Sequence, residues 1–357
     1  MTLIANPVGL PPDRILSSML STPSPRVSDA EANEIARRHY GLETSAKRLA
    51  SERDEMFRLR DAKGIEYLLK ITNPAEPPEV THLQTAALQW IADTDSQLPV
   101  QRPQKTGDGA TELRLAIGAS EPRTVRLLSF LQGQPLHETQ RTRAQRRALG
   151  RMLARLGQAL AAFRHPSEGH ELGWDIAHAH RLKPLMAHVR RREQLDLGQA
   201  VFRRFETKVR PSLPGLRAQV VHNDLNAYNV LVDPTDPERI TGVLDFGDIV
   251  RTQLVNDVAI GAAYHLSASA DVLEGPGDFT DAYQEVTPLA PEETELLPDL
   301  IATRLLVTVL ITGWRAERYP ENRDYILKNT ALAWDGLDRL AHIAPEIARD
   351  RLRGNTR

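Results

Sequence analysis

The chain contains no cysteine, which excludes a disulfide framework, a thiol nucleophile and a thiolate zinc site, and makes a reducing cytoplasm its simplest home. It also lacks an excess of either charge: 45 Lys and Arg against 47 Asp and Glu leave a formal net charge of -2. That balance offers no electrostatic footing for nucleic acid or an anionic membrane surface. The opening stretch MTLIANPVGLPPDRILSSML has no basic region leading into a continuous apolar core and is broken by Pro7, Pro11 and Pro12, so no secretory signal is expected. The most apolar later run, Leu305 to Ile311, is too short and interrupted for a bilayer span and reads as buried helix. No G-x-x-x-x-G-K-[ST], H-E-x-x-H or G-x-S-x-G occurs, which leaves P-loop, zincin and α/β-hydrolase chemistry without support. There is no internal repeat.

What is present suits a two-lobed globular protein: 357 residues, 41% hydrophobic and 26% charged. Residues 1–27, rich in Pro and Ser, are expected to form an irregular arm. Ser28 and Glu31 have capping-box spacing, so a helix starts there, carries Ile35, Ala36 and Tyr40, and stops at Gly41. SAKRLAS, MFRLRD and IEYLLKIT read as strands, with a turn at Asp61 to Gly64. From Pro78, Val80, Leu83, Ala87, Trp90 and Ile91 recur at helical spacing, and Trp90 is expected in the core. Two more strands, Glu112 to Ile117 and Thr124 to Leu131, complete a small antiparallel lobe over 28–131. The break at Gln132 to Pro135 opens a mainly helical lobe over 132–357. There Leu149, Leu153, Leu156 and Leu160 share one face of a long helix, Asn256-Asp257 opens another, and Leu296 to Arg318 forms an interior one. Arg141, Arg143, Arg146, Arg147 and Arg151 read as a solvated basic face.

The most informative stretch runs from Val220 to Asp248, VVHNDLNAYNVLVDPTDPERITGVLDFGD. Asp224, Asn229 and Asp245 each stand at the edge of a β-branched run, so a hairpin-like pair of strands would bring two carboxylates and one amide to a common point. The order H-x-D-x-x-x-x-N, then D-F-G, matches the kinase arrangement in which the first Asp accepts the acceptor's proton and Asn and the second Asp hold Mg²⁺. Lys70, in Leu-Leu-Lys-Ile, has the setting of a strand lysine that contacts nucleotide phosphates. Asp257 follows Asp245 after only twelve positions, with no A-P-E and no room for a long activation segment. The acceptor is therefore expected to be a small molecule rather than a protein.

Through Ser51-Glu52-Arg53-Asp54, LLKI around Lys70, HNDLNAYNVLV and VLDFGD, the chain from about Ser45 to Trp314 resembles the aminoglycoside phosphotransferase superfamily of small-molecule kinases, and within it the hydroxylysine kinases. The resemblance implies an α+β, protein-kinase-like bilobal fold, with a small antiparallel-sheet N-lobe plus one helix and a larger, mainly helical C-lobe bearing the catalytic hairpin. It implies ATP or GTP with Mg²⁺ in the cleft, and Leu128 to Leu131, with Phe130, as the hinge. It makes Asp224 the catalytic base, Asn229 and Asp245 the metal ligands and Lys70 the phosphate contact, with Ser51, Glu52, Arg53, Leu128, Phe130, Leu131 and Gln84 also on the nucleotide side. His222 would organise the loop and Asp257 would brace it. Where relatives carry a helix Glu that pairs with the lysine, this chain has Gln84, with Glu79 and Glu76 as alternatives; Asn223 stands where many relatives have Gly. Asp248, His265, Arg304 and Trp314 are the candidates for holding the acceptor. The expected reaction is phosphoryl transfer to a hydroxyl of 5-hydroxylysine. Homoserine, choline, ethanolamine or an aminoglycoside are alternative acceptors, and a catalytically silent nucleotide-binding module is a further alternative.

Overall fold

The computed structural model describes residues 24–51, 53–118, 121–266 and 271–353; most of the expected arm, and Glu52, lie outside them. The first helix, α1 (Asp29–Tyr40), begins at a Ser28–Glu31 capping box and ends on Gly41 in the left-handed region, φ 66°, as the spacing of those residues requires. Strands β1 (Thr44–Leu49), β2 (Glu55–Asp61) and β3 (Glu66–Ile71) follow, then α2 (Pro78–Thr94), β4 (Leu113–Leu115) and β5 (Arg123–Ser129). The five strands form one antiparallel sheet in the order β1-β2-β3-β5-β4.

Period-two alternation decides what each face of the sheet does. Phe57, Leu59, Leu69, Ile71, Val125 and Leu127 point to one side and are sealed by Ala32, Ile35 and Ala36 of α1 and by Val27. The other side carries Lys70 and its register partner Arg126. It also carries Leu68 and Leu128, which join Leu83, Ala87, Leu88 and Ile91 of α2 in the larger core. Each fully buried Leu or Ile contributes about 1.5–3 kcal/mol. Trp90 is a correction to its expected burial: its side is 37% exposed, and its indole donates to the Ala159 carbonyl at 2.9 Å, so it ties α2 to the next helix from the outside.

After β6 (Gln134–Pro135), α3 (Arg143–Leu160) crosses α6 (Glu274–Gln284) so closely that a Cβ at Gly150 would lie 2.1 Å from the Phe279 carbonyl oxygen. The arginines of this region are not merely solvated. Arg143 and Arg146 bind Asp278 at 3.1 and 2.7 Å, and Arg151 reaches Glu285 at 3.2 Å, so they fasten α3 to α6. A 3₁₀ stretch, Ile176–His188, precedes α4 (Arg192–Arg204). The strands expected to form one hairpin divide between two sheets: β7 (Ala218–Val221) pairs with β10 (Val250–Gln253), while β8 (Val230–Val232) pairs with β9 (Ile240–Val243) and β6. Apolar runs of three or four residues are equally suited to either partner, so periodicity alone does not select one.

Helix α5 (Leu254–Ala263), every residue of which is buried, runs under this region. Helix α7 (Pro291–Arg318) is longer than the apolar run suggested. It is long and apolar enough to cross a bilayer, but 78% of its apolar window is buried inside the protein, where it packs against α5, the 3₁₀ stretch and α8 (Thr330–Ala341). It is thus the central helix of the helical part, with α9 (Pro345–Leu352) beside it.

Candidate active site

Asp224 and Asn229 belong to the loop between β7 and β8, and Asp245 stands two residues past the end of β9. The loop is wound tightly by short-range bonds: the Asn226 amide donates to Asp224 Oδ2 at 2.9 Å, and the Tyr228 backbone N–H to Asn226 Oδ1 at 2.8 Å. His222 stitches the loop to Leu244 through its Nε2, 3.0 Å from the carbonyl, and its Nδ1 accepts the Asp224 backbone N–H at 3.2 Å. Burial lowers its pKa, which suits a neutral ring accepting at one nitrogen and donating at the other. Asp257, from α5, accepts the Asn223 backbone N–H at 2.8 Å. Asn223 adopts φ 65° and Asp245 φ 56°. The left-handed region is tolerated best by Gly and, among side-chain residues, by Asn and Asp, which accounts for an Asn where relatives carry Gly. Strained positions held by buried bonds mark a site that the fold over-determines.

The sheet delivers the cationic half. Lys70 Nζ lies 3.1 Å from Asp54 Oδ2 and 3.6 Å from Asp245 Oδ1. Burial opposes the ammonium, but Asp54 and Asp245 outweigh it and hold its pKa above the ordinary value. Lys70 in turn lowers the pKa of Asp245, whose side chain is 55% exposed in the cleft. The lysine's partner is therefore Asp54, two positions past Glu52, and not a residue of α2. Gln84 accepts from Arg126 Nη2 at 2.9 Å and lies 3.4 Å from the Gly247 carbonyl, Glu76 is taken by Arg53, and Glu79 is exposed on the first turn of α2. The substitution of Gln for the expected Glu follows physically: Arg126 on β5 already stands beside Lys70, and an amide can bind it while leaving Asp54 as the lysine's counter-ion. Ser51 Oγ accepts the Asp54 N–H at 3.3 Å, so Ser51 bears on the lysine through Asp54. Leu128 is buried on β5, Phe130 lies 4.8 Å beneath the Arg58 guanidinium, and Leu131 lies close to Gly242 of β9.

Around Asp224 the setting is different. Asn229 donates to Asp224 Oδ2 at 2.8 Å, and Arg304 Nη2 of α7 meets Asp224 Oδ1 at 3.1 Å. The Tyr264 hydroxyl lies 3.4 Å from Oδ1 and 2.8 Å from Arg304. Burial raises the Asp224 pKa to about 6; Arg304 opposes the rise and Asp245 adds to it. Asp248 is pushed up to about 7 by burial and by Asp224, against Arg53, and Asp257 to about 6 by burial.

Of the four acceptor candidates, the structure brings Arg304 and Asp248 to Asp224. His265 instead packs on Phe279, ring centroids 5.1 Å apart, with its pKa lowered to about 3 by burial and by Arg141 and Arg146. Trp314 is buried within α7's core contacts, beneath Arg318. Tyr264, Asp54 and Arg126 were missed by sequence reasoning. Tyr264 had a usable signal: it stands seven residues after Asp257, two helical turns on the same face.

Asn229 spends its amide N–H₂ on Asp224, which leaves its oxygen as a ligand atom, and Asp245 presents a second, half-exposed oxygen donor. Among the described residues no cluster of three or more His or acidic side chains could cage a metal alone. Two hard oxygen donors fit Mg²⁺, which keeps water and takes phosphate oxygens for the rest of its shell.

The profile of the phosphotransferase enzyme family (APH) matches residues 45–292. A hydroxylysine kinase of Mus musculus is 26% identical over 339 residues, covering 88% of this chain and 90% of that protein. The hydroxylysine kinase of Xenopus laevis is 27% identical over 350 residues, with 92% and 93% covered. Among solved structures, a microcompartment-associated aminopropanol kinase superposes with a TM-score of 0.66 at 21% identity, over 87% of this chain and 98% of its own. An amicoumacin kinase in complex with AMP-PNP, Ca²⁺ and Ami gives 0.64 at 16% identity, with 85% and 91% covered. These structures share the fold.

Proposed function

We propose that this chain, which belongs to the phosphotransferase enzyme family, moves the γ-phosphoryl group of ATP or GTP to a hydroxyl of a small amino acid or amino alcohol, 5-hydroxylysine foremost. The observation that carries the reading is the joining of two half-sites: Lys70 from the sheet against Asp245, and Asp224 bound to Asn229 at the helical side. Asp224 is the group that orients the acceptor hydroxyl and takes its proton, which typically contributes about 10²- to 10⁴-fold. Lys70, kept charged by Asp54, attracts the phosphates. Asn229 and Asp245 would hold Mg²⁺, which when bound neutralises phosphate charge. Positioning supplies most of the remaining effect.

The preference for hydroxylysine is supported by the two curated relatives, which match nearly end to end. A coupled phosphorylation screen with Mg²⁺ and either nucleotide, over hydroxylysine, homoserine, choline, ethanolamine, methylthioribose and an aminoglycoside, tests it. Turnover highest on hydroxylysine is expected. Turnover on the aminoglycoside alone refutes the acceptor, and no turnover on any of them favours a silent module.

A further inference from the structure

Both oxygens of Asp224 are fully engaged. Oδ2 accepts from the Asn226 and Asn229 amides at 2.9 and 2.8 Å, and Oδ1 from Arg304 at 3.1 Å and from the Tyr264 hydroxyl at 3.4 Å. A carboxylate oxygen has two lone pairs, so an acceptor hydroxyl can bind Asp224 only by displacing one donor. The amides are held by the loop's own turn. Arg304 is 2% exposed and fixed on several sides: its Nη1 donates to the Trp174 carbonyl at 3.2 Å, and its guanidinium lies 5.3 Å from the Trp174 ring and 5.7 Å from the Tyr264 ring. The Tyr264 hydroxyl makes the longest of the four contacts, and its oxygen keeps accepting from Arg304 Nη2 at 2.8 Å when its O–H turns away, so it is the donor that yields most readily.

We infer that Arg304 is a positioning residue that clamps the Asp224 carboxylate, and that the Tyr264 hydroxyl occupies the place on Oδ1 that the acceptor hydroxyl takes. Resting on the phosphotransfer reading above, this makes Oδ1 the proton-accepting atom. The acceptor O–H bond breaks and its proton passes to Oδ1, while the acceptor oxygen forms a bond to the γ-phosphorus. The bond from γ-phosphorus to the bridging oxygen breaks, and its electron pair leaves on the nucleoside diphosphate. The Arg304 side chain, expected as an acceptor contact, is already committed to the base. The zwitterion's carboxylate must then find its partner elsewhere in the cleft.

The test compares Arg304→Gln, Arg304→Lys and Tyr264→Phe with the wild type on hydroxylysine. Loss of an oriented, charge-assisted bond predicts a fall in kcat of about 10- to 100-fold for Arg304→Gln, with the acceptor KM little changed. Added methylguanidinium should restore part of it, Arg304→Lys should fall between, and Mg²⁺-nucleotide binding retained by each variant shows a folded cleft. Tyr264→Phe should lower the acceptor KM about 2- to 10-fold, because no hydrogen bond need be displaced. A raised KM with kcat intact in Arg304→Gln means that Arg304 holds the acceptor itself and overturns the clamp. A raised KM in Tyr264→Phe removes the placeholder. If the wild type phosphorylates no hydroxyl acceptor, the phosphotransfer reading falls and this one with it; if it does and the variants are unaltered, only this inference falls.

Discussion

Asp224 and Asp245 flank the same small sheet and share the same cleft, yet their surroundings are opposite. Asp245 faces Lys70 and is held below the usual carboxylate range, half-exposed and ready to meet a cation. Asp224 is withdrawn among Arg304, Tyr264 and two amides, and burial lifts its pKa to about 6. A metal ligand benefits from a permanent charge, whereas a proton acceptor benefits from a pKa nearer the working pH. Two carboxylates that would be interchangeable in water are thereby fitted by their neighbours to the two different roles proposed for them.

Exchanging either acid for its amide probes that difference. Asp224→Asn is the larger perturbation: turnover should fall by about 10²- to 10⁴-fold while Mg²⁺-nucleotide still binds, measured by steady-state kinetics beside calorimetric titration. Near-normal turnover would remove Asp224 as the base. Asp245→Asn should act on the other half of the site, weakening Mg²⁺-dependent nucleotide binding by about 100-fold or more; a variant with unchanged Mg²⁺ dependence would break the contrast. The smallest change is expected from Asp54→Asn, which frees Lys70 from its 3.1 Å partner. The loss of a charge-assisted bond should raise the nucleotide KM about 10-fold with the acceptor KM unaffected. An effect on the acceptor alone would show that the two halves are not separate.

Much of this was legible in the chain. The capping box at Ser28, the alternation in β2 and β3 and the helical stripe of α2 are local patterns, and each is realised where its spacing indicated. The motif around Asp224 and Asn229 was equally legible because those residues bind one another within a short loop, with Asp245 just past the hairpin that follows. Pairings between distant elements were not. Gln84 stood at a plausible helical position but meets Arg126 instead of Lys70, because a cross-strand neighbour fills the space that the lysine was expected to share. His265 is named among the acceptor contacts and Tyr264 is not, although the turn at the end of α5 aims the tyrosine at Asp224 and leaves the histidine against Phe279. Trp90 was assigned to the core because it keeps the helical period, but its indole N–H draws it to the edge, where it finds the Ala159 carbonyl.

The sequence by itself determined the local chemistry: which residues start and stop helices, which strands alternate, and which stretch carries two acids and an amide at the spacing of phosphoryl transfer. These depend on neighbours a few residues away, so they survive without knowledge of the fold. Only the tertiary structure decided that Asp54 holds Lys70 and that Arg304 and Tyr264 hold Asp224. Those contacts join a loop to a strand and two helices to another loop, and a buried charge takes its partner from whichever element packing brings within about 3 Å.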